Sequence, residues 1–177
     1  MKKYEFTGET KQVELLFRTV TLHRIKAVAE FGIVKVGDLG GWIEKEENLS
    51  HDGKAWVYGD AEVWGNAEVY GNAEVWGNAK VWGNAKVCDD AKVCDDAEVF
   101  SISHVLVIGP IGSRNDFTTF FRDKDSEITV KCGCFLGKID KFLKKVCETH
   151  GDSKYAIVYR TAAEIAKQQI DLLEEKQ

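Results

Sequence analysis

Apolar and polar positions repeat with a six-residue period through the middle of the chain. Ala recurs at every sixth position, and Val follows two residues later, in eight consecutive units from Ala55 to Val99. Residues two apart point to the same side of an extended segment, so the Ala and Val positions predict one buried face. The first seven units close with Gly-Asn, Gly-Asp or Asp-Asp, residue types that favour tight corners. A unit this short buries its apolar side only against its neighbours, so the pattern predicts a parallel β-helix.

The charged residues between Ala and Val predict a coil of 18 residues, or three units. Stacking by 18 brings four pairs of opposite charge together: Glu62 with Lys80, Glu68 with Lys86, Glu74 with Lys92, and Lys80 with Glu98. Opposite charges favour adjacent strands, whereas stacking by 12 would superimpose like charges. A recent duplication with alternating charge blocks would give the same pairs. Ser103 with Val105, and Gly109 with Ile111, still fall on the Ala and Val positions, so we expect the helix to end near Pro110.

The flanking segments complete a mainly β fold in three parts. We predict an N-terminal β cap over residues 1–54, the hexapeptide-repeat β-helix over 55–111, and a C-terminal α+β unit over 112–177. In the cap we interpret Gly40-Gly41 as a turn rather than a phosphate loop, and expect Trp42 to plug the open end of the helix core.

The C-terminal unit has the pattern of two strands followed by two helices. Residues 117–122 and 127–132 read as a hairpin. Apolar residues from position 139 then follow helical spacing until His150-Gly151, where Gly is typical of a helix end. Ser153 is a suitable N-cap for a second helix reaching about Leu173.

Composition and charge limit the cellular location and the partners that we expect for this chain. No stretch of the 177 residues is long and apolar enough to span a membrane, and the N-terminus lacks a signal-peptide core. Five unevenly spaced Cys are typical of a reducing cytoplasm. Residues 55–104 carry nine acidic and three basic residues, a net charge of −6, which disfavours nucleic acid as a partner of the helix.

Two resemblances extend this interpretation. The repeats resemble the left-handed β-helix of hexapeptide-repeat proteins. That resemblance implies a left-handed coil, a homo-oligomer such as a trimer or dimer, and binding sites between subunits. The segment at 37–50 (GDLGGWIEKEENLS), followed by G-N-A-x-V units, resembles a group of uncharacterised bacteriophage and prophage proteins from gut bacteria, as do residues 111–116 and 132–135. That likeness implies expression in the cytoplasm of an infected bacterium and supplies no established chemistry.

The position after each Val carries mostly large side chains. We call these eight residues the aromatic ridge: Tyr58, Trp64, Tyr70, Trp76, Trp82, Cys88, Cys94 and Phe100. Its six aromatic side chains could bury on the order of 900–1,500 Å², more than the roughly 800 Å² per partner of a standard interface.

Such a surface is expected to be covered. We favour cover by the chain's own helices or by a second copy over a foreign ligand. Four ridge residues are accordingly predicted at an interface: Tyr58, Tyr70, Trp76 and Phe100. Trp64 and Trp82 are predicted to bind a ligand.

Catalytic and metal-binding patterns are weak. Hexapeptide-repeat acyltransferases depend on histidines, and only His104 falls on the helix. No three-histidine set with zinc-ligand spacing is present, so no catalytic residue, metal or cofactor is predicted. Cys132, Cys134 and Cys147 are interpreted as buried, reduced thiols rather than as metal ligands. The Asp pairs at 89–90 and 95–96 are interpreted as corner residues rather than calcium ligands.

An anion site is predicted after the Gly-Pro-Ile-Gly bend. Backbone N–H groups near Ser113 and Asn115, together with Arg114, could hold a phosphate. The alternative, which the sequence pattern favours over a phosphate site, is a local Asx-type turn in which Asp116 pairs with Arg114. Arg122 is added as a second phosphate ligand because Arg is scarce in this chain.

The predicted function is that of a non-enzymatic, oligomeric phage protein that antagonises host defence. It could sequester a nucleotide immune signal, with Arg114 or Arg122 on phosphate and an aromatic residue stacking on the base. Alternatives are an inhibitor that binds a host defence protein through the aromatic ridge, and a hexapeptide-repeat acyltransferase using His104. A structural role, such as decoration of the virion, ranks below them.

Overall fold

The computed structural model describes residues 2–174 and shows a mainly β protein with two C-terminal helices. The chain forms two compact units, with the boundary between Ile102 and Ser103. No helix among the described residues is long and apolar enough to cross a membrane.

The first unit begins with a long hairpin. Strand β1 (Tyr4–Glu14) pairs antiparallel with β2 (Thr19–Ala27), and β2 pairs antiparallel with β3 (Leu39–Ile43). Strand β3 then pairs in parallel with the strand of the second repeat, at Glu62–Val63, so the hairpin and one face of the β-helix belong to the same six-stranded sheet.

Eight two-residue strands form the β-helix, each holding the Val of one repeat. They are β4 (Trp56–Val57), β5 (Glu62–Val63), β6 (Glu68–Val69), β7 (Glu74–Val75), β8 (Lys80–Val81), β9 (Lys86–Val87), β10 (Lys92–Val93) and β11 (Glu98–Val99). Parallel pairing joins residues 18 apart, as in β5 with β8 and β8 with β11. The repeat Ala and Val side chains are buried at every unit. The predicted three-unit coil is confirmed.

The outward charges stack as the sequence predicts. The register places Glu68 opposite Lys86 and Glu74 opposite Lys92, with ion-pair distances of 3.5 and 3.8 Å. Glu62 lies opposite Lys80, but its carboxylate is 2.8 Å from the ammonium of Lys11 on the hairpin. These pairs help to set the register rather than supplying much stability, because exposed ion pairs contribute little.

The corners use left-handed backbone throughout. Asp89 and Asp95 have φ of 55° and 60°, close to the values of the glycines at the other corners. The Asn72 side-chain amide donates to Asp90 at 3.2 Å, one coil away. The Asp pairs are therefore corner residues, as interpreted from the sequence.

The segment before the repeats forms a further coil. Ile43 pairs with Val63 through β3 and β5, and Leu49 forms an isolated bridge to Val69. Both side chains are fully buried. The β-helix therefore has about three coils and the start of a fourth, with the first built from non-repeat sequence.

Two expectations for this segment are wrong. Gly40-Gly41 is not a turn but part of β3. A Cβ on Gly41 would lie 2.6 Å from the carbonyl oxygen of Ala61, so glycine permits a close approach of two strands. Trp42 does not plug the core: it occupies an outward position, with the Lys11 ammonium 4.6 Å from its ring centroid, while the neighbouring Ile43 fills the core.

The second unit contains a four-stranded antiparallel sheet. Its strands are β12 (Val105–Ile111), β13 (Asp116–Arg122), β14 (Ile128–Cys132) and β15 (Phe135–Lys138), in chain order. The predicted hairpin is present as β13 and β14, and an outer strand is added on each side. Residues 105–111 do not continue the repeat as expected. Their apolar residues pair antiparallel with β13 instead, with Leu106 opposite Phe120.

Two helices follow the sheet. Helix α1 (Ile139–His150) ends at Gly151 with φ of 54°, and α2 (Lys154–Gln169) begins after Ser153, whose hydroxyl accepts the Ala156 N–H at 3.4 Å. Both end signals read from the sequence are confirmed. Helix α2 stops earlier than expected because Ile170 adopts an extended backbone and its side chain is buried. The helices and sheet share one apolar core that includes Phe120, Val130 and Phe142.

Candidate functional site

A cluster of candidate ligand-binding side chains lines a cavity of about 490 Å³ in the second unit. The turn between β12 and β13, the turn between β14 and β15, the C-terminal half of α1 and one residue of α2 all contribute. The volume falls within the range of about 300–1,000 Å³ that is typical of small-molecule sites.

Four rings form a continuous wall of this cavity. The ring centroids of Phe135 and Phe142 are 5.4 Å apart, and those of Phe142 and Tyr159 are 5.7 Å apart. His150 continues the row, with its ring 5.7 Å from that of Tyr159. Phe142 and Tyr159 are nearly buried and belong to the core, so the wall is fixed by packing.

The rest of the lining is basic and polar. Arg114, Lys145 and His150 supply two permanent positive charges and one titratable group, and none of the described lining residues is acidic. Ser113 and Thr149 add hydroxyl groups, and Cys132 and Cys134 add thiols. The cavity therefore combines apolar ring faces with positively charged and hydrogen-bonding side chains. Cys132 is half-buried and Cys134 and Cys147 are exposed, so the expectation that these three thiols are buried is wrong.

Arg114 is the most informative of these residues. The expected alternative, a pair with Asp116, is not formed: the Asp116 carboxylate accepts the Phe117 N–H at 2.7 Å. Among the residues that the structure describes, Arg114 makes no ion pair. A Cβ on Gly133 would lie 2.9 Å from an Arg114 guanidinium nitrogen, so the absence of a side chain at 133 makes room for that group.

Tyr159 holds the floor of the cavity in place. Its hydroxyl lies against Gly112, where no side chain could fit. Burial raises the pKa of Tyr159, so the hydroxyl is neutral at physiological pH. The ring is thus anchored to the same turn that carries Arg114.

The other predicted phosphate ligands are not all brought together. Asn115 follows Arg114 in the turn with φ of 52° and is exposed. Arg122 does not line the cavity. It ends β13, is only 3 % exposed, and donates to the Ser126 hydroxyl at 2.6 Å. Its role in ligand binding stays a prediction.

The aromatic ridge stacks by coils, as predicted. Trp64 and Trp82 are parallel at 5.0 Å, and Phe100 continues the stack at 4.9 Å. Trp64 is only 3 % exposed because Val20 and Leu22 of β2 pack on it. The chain's own hairpin, rather than its helices, therefore provides this cover.

The remaining ridge residues are half-buried or buried within a single chain. Tyr58, Tyr70 and Trp76 are half-buried, so less apolar surface is open than the sequence suggested. A hydrogen bond to Cys88, together with burial, raises the pKa of Tyr70 to about 12. The interface roles of these residues, and the ligand roles of Trp64 and Trp82, remain predictions.

His104 is fully buried and lies in the second unit. Its Nε2 is 3.3 Å from a carboxylate oxygen of Glu174, and burial lowers its pKa. A fully buried imidazole is not accessible to a substrate. The geometry thus offers no support for acyl transfer by this residue.

Three carboxylates converge at the turn between β13 and β14. Asp123, Asp125 and Glu127 have ligand oxygens within 4.8 Å of one another. The Lys138 ammonium lies 2.6, 3.4 and 2.7 Å from these three groups, so it supplies the positive charge that the cluster needs. Although burial opposes it, hydrogen bonding to Asp123 and Glu127 raises the pKa of Lys138. We interpret the cluster as a structural corner.

A second cavity, of about 420 Å³, lies in the first unit. Its lining includes Glu46, Glu47 and Glu68 beside His51 and Tyr70. Three carboxylates disfavour an anion there, so the basic cavity of the second unit is the candidate site.

Comparison with known proteins supports the class of fold. No family model matches the chain. The chain is similar to the uncharacterized acetyltransferase YdcK of Escherichia coli (strain K12), with 34 % identity over 62 residues, covering 33 % of this chain and 19 % of that protein. It thus spans about a fifth of the length of this relative. The repeat architecture and this likeness fit a hexapeptide-repeat β-helix protein.

Proposed function

We propose that this chain is a non-enzymatic binding protein whose C-terminal cavity takes up a small nucleotide-type anion. The observation that carries the proposal is the exposed Arg114 guanidinium, without an acidic partner among the described residues, on the rim of an aromatic-walled cavity. An anionic group at this position would gain charge-assisted hydrogen bonds without displacing an existing ion pair.

The aromatic wall would recognise the other end of the ligand, its planar base. A planar base stacking on an aromatic face contributes about 1–3 kcal/mol. Phe135 and His150 are half-buried and offer ring surface, while the more buried Phe142 and Tyr159 hold them in position. A ligand with a flat ring at one end and a negative charge at the other fits this lining.

The β-helix would serve assembly. We include self-association in the proposal, with the half-buried Tyr58, Tyr70 and Trp76 of the aromatic ridge, and Phe100 of the Trp64–Trp82 stack, at contacts between copies. In the phage setting that the sequence resemblance implies, an oligomer with one cavity per chain would sequester a nucleotide immune signal of the infected host.

Native mass spectrometry of the protein purified from bacteria tests the proposal. The spectra would be recorded with and without a panel of cyclic nucleotides, mononucleotides and ADP-ribose. We expect a defined oligomer that retains one nucleotide per chain, and loss of that ligand in Arg114→Gln. Arg18→Gln, the same change at an exposed Arg in the first unit, is the matched control and should retain it. An oligomer that stays empty against the whole panel would refute nucleotide binding.

Acetyl transfer is a second candidate because the relative described above is named an acetyltransferase. The burial of His104 argues against the acyltransferase mechanism considered from the sequence. We expect no release of free CoA from acetyl-CoA in the presence of common amine acceptors. Turnover that falls in His104→Ala would overturn the non-enzymatic assignment.

A further inference from the structure

We infer that the C-terminal cavity is matched to a single nucleoside monophosphate, bound through a terminal phosphate monoester. This inference rests on the proposed function, because it specifies which nucleotide the same cavity takes. Three properties of the lining lead to it: volume, fixed charge and the placement of Arg114 on a turn beside the ring wall.

The volume suits a ligand of the size of one nucleotide. A cavity of about 490 Å³ lies in the lower half of the roughly 300–1,000 Å³ that is typical of small-molecule sites. That space holds one ring system with one sugar and one phosphate. A dinucleotide would leave its second base and sugar outside, in contact with water.

The charge of the lining matches a monoester. Arg114 and Lys145 supply two permanent positive charges, and His150 adds a third when it is protonated. A phosphate monoester carries a charge of about −1.5 to −2 near neutral pH. A cyclic phosphate is a diester with a single charge, so it would leave one of the two permanent cations uncompensated.

Acidic side chains near the cavity compete only weakly with a ligand for Arg114 and Lys145. Lys145 has an exposed neighbour, Glu148, at 3.8 Å, and such a pair contributes little in water. Arg114 forms no ion pair with a described residue. Both side chains are exposed and could turn toward a ligand without breaking a buried contact.

The lining also fixes the direction of the ligand. The four rings Phe135, Phe142, Tyr159 and His150 form one wall, whereas Ser113 and Arg114 belong to the turn between β12 and β13. A base on the ring wall would bring the phosphate toward Arg114 and the Ser113 hydroxyl. Arg, with its planar fork of donors, is suited to the three terminal oxygens of a monoester.

Isothermal titration calorimetry of the full chain tests this inference. The ligands are adenosine, AMP, ADP, 3′,5′-cyclic AMP and a cyclic dinucleotide, with the guanine series measured in parallel and inorganic phosphate alone. We expect one AMP or GMP per chain, bound at least about 10-fold more tightly than the nucleoside or the cyclic diester. Arg114→Gln should weaken the monophosphate by about 10- to 100-fold, the value of a charged hydrogen bond. Arg18→Gln should leave it unchanged.

The outcomes separate the inference from the proposed function. Tighter binding of the cyclic dinucleotide or the diphosphate, still weakened by Arg114→Gln, would overturn the monophosphate assignment and leave nucleotide binding in place. No binding of any nucleotide, or monophosphate binding unaffected by Arg114→Gln, would overturn both. If Arg114→Gln fails to fold by circular dichroism, Lys145→Gln provides the same charge test from helix α1.

Discussion

Replacing Gly41 by Ala tests how the non-repeat coil joins the β-helix. A Cβ at this position would lie 2.6 Å from the Ala61 carbonyl oxygen and 2.7 Å from a methyl carbon of Val57. The same oxygen accepts the Trp42 N–H at 2.9 Å, so the strand cannot move away without weakening that hydrogen bond. Steric crowding alone therefore requires glycine at position 41, and no unusual φ value is involved.

The magnitude follows from three contributions to the free energy of unfolding. Overpacking costs about 1–3 kcal/mol, and loss of the hydrogen bond costs about 0.5–1.5 kcal/mol. Removing a glycine from the unfolded chain returns about 0.4–1 kcal/mol. The net loss is about 0.5–4 kcal/mol, which for a unit of this size lowers Tm by about 2 °C or more.

Tryptophan fluorescence during thermal unfolding measures this change selectively, because all five Trp residues lie in the first unit. Gly59→Asp is the matched control. Its corner has open space and φ of 59°, close to the 55° that Asp89 adopts at an equivalent corner. We expect Gly59→Asp to stay within about 1 kcal/mol of the parent. Equal Tm values for Gly41→Ala and the parent would refute the close approach of the two strands.

Further predictions concern charge and pH. Glu68→Lys and Lys86→Glu should each destabilise the first unit by about 0.2–1 kcal/mol, and the double exchange should restore it; additive losses in denaturant titrations would contradict the observed register. Burial lowers the pKa of His104 below 6.5, so the unfolded chain binds the extra proton first and the free energy of unfolding should fall as pH drops below about 6.5. His104→Gln should make the free energy of unfolding less dependent on pH in this range, and an unchanged slope would show that His104 is not its source. Burial lowers the pKa of Lys3 from 10.5 to about 8, so stability should rise with pH between those values, and a slope equally steep in Lys3→Met would exclude Lys3 as its source.

The repeat made the β-helix predictable because identical units leave few ways to stack. The charges at Glu68 and Lys86 then fixed the coil at 18 residues, and the structure confirms it. The preceding coil was missed because it pairs Ile43 with Val63 and Leu49 with Val69, an offset of 20 residues. The six-residue spacing from Ile43 to Leu49 to Ala55 was a visible signal, but the offset hid its register.

Cover of the aromatic ridge was beyond sequence reasoning for a different reason. The stacking of Trp64 on Trp82 follows from the period. The segment that covers this stack cannot be read from the period, because the alternating residues of β2 could face either side of the strand. The structure places Val20 and Leu22 against Trp64, and this contact arises only through tertiary pairing of the hairpin with β3.

The candidate site was only partly predictable. Arg114 stood out because it follows a bend and Arg is scarce. Lys145 and Thr149, four residues apart on one face of α1, gave a weak signal, but only the folded unit brings them to the turn at Arg114. Arg122 looked equivalent to Arg114 in sequence, yet its position at the end of a central strand buries it.

Binding of a nucleotide in the second unit is tested most directly by titrating AMP into the ¹⁵N-labelled full chain and recording amide spectra. We predict saturable shifts at Ser113, Arg114, Thr149 and His150, with little change across the β-helix strands. The same titration with Arg114→Gln should require a higher AMP concentration. Shifts confined to the β-helix, or no shifts at millimolar AMP or GMP, would contradict a nucleotide site in this cavity.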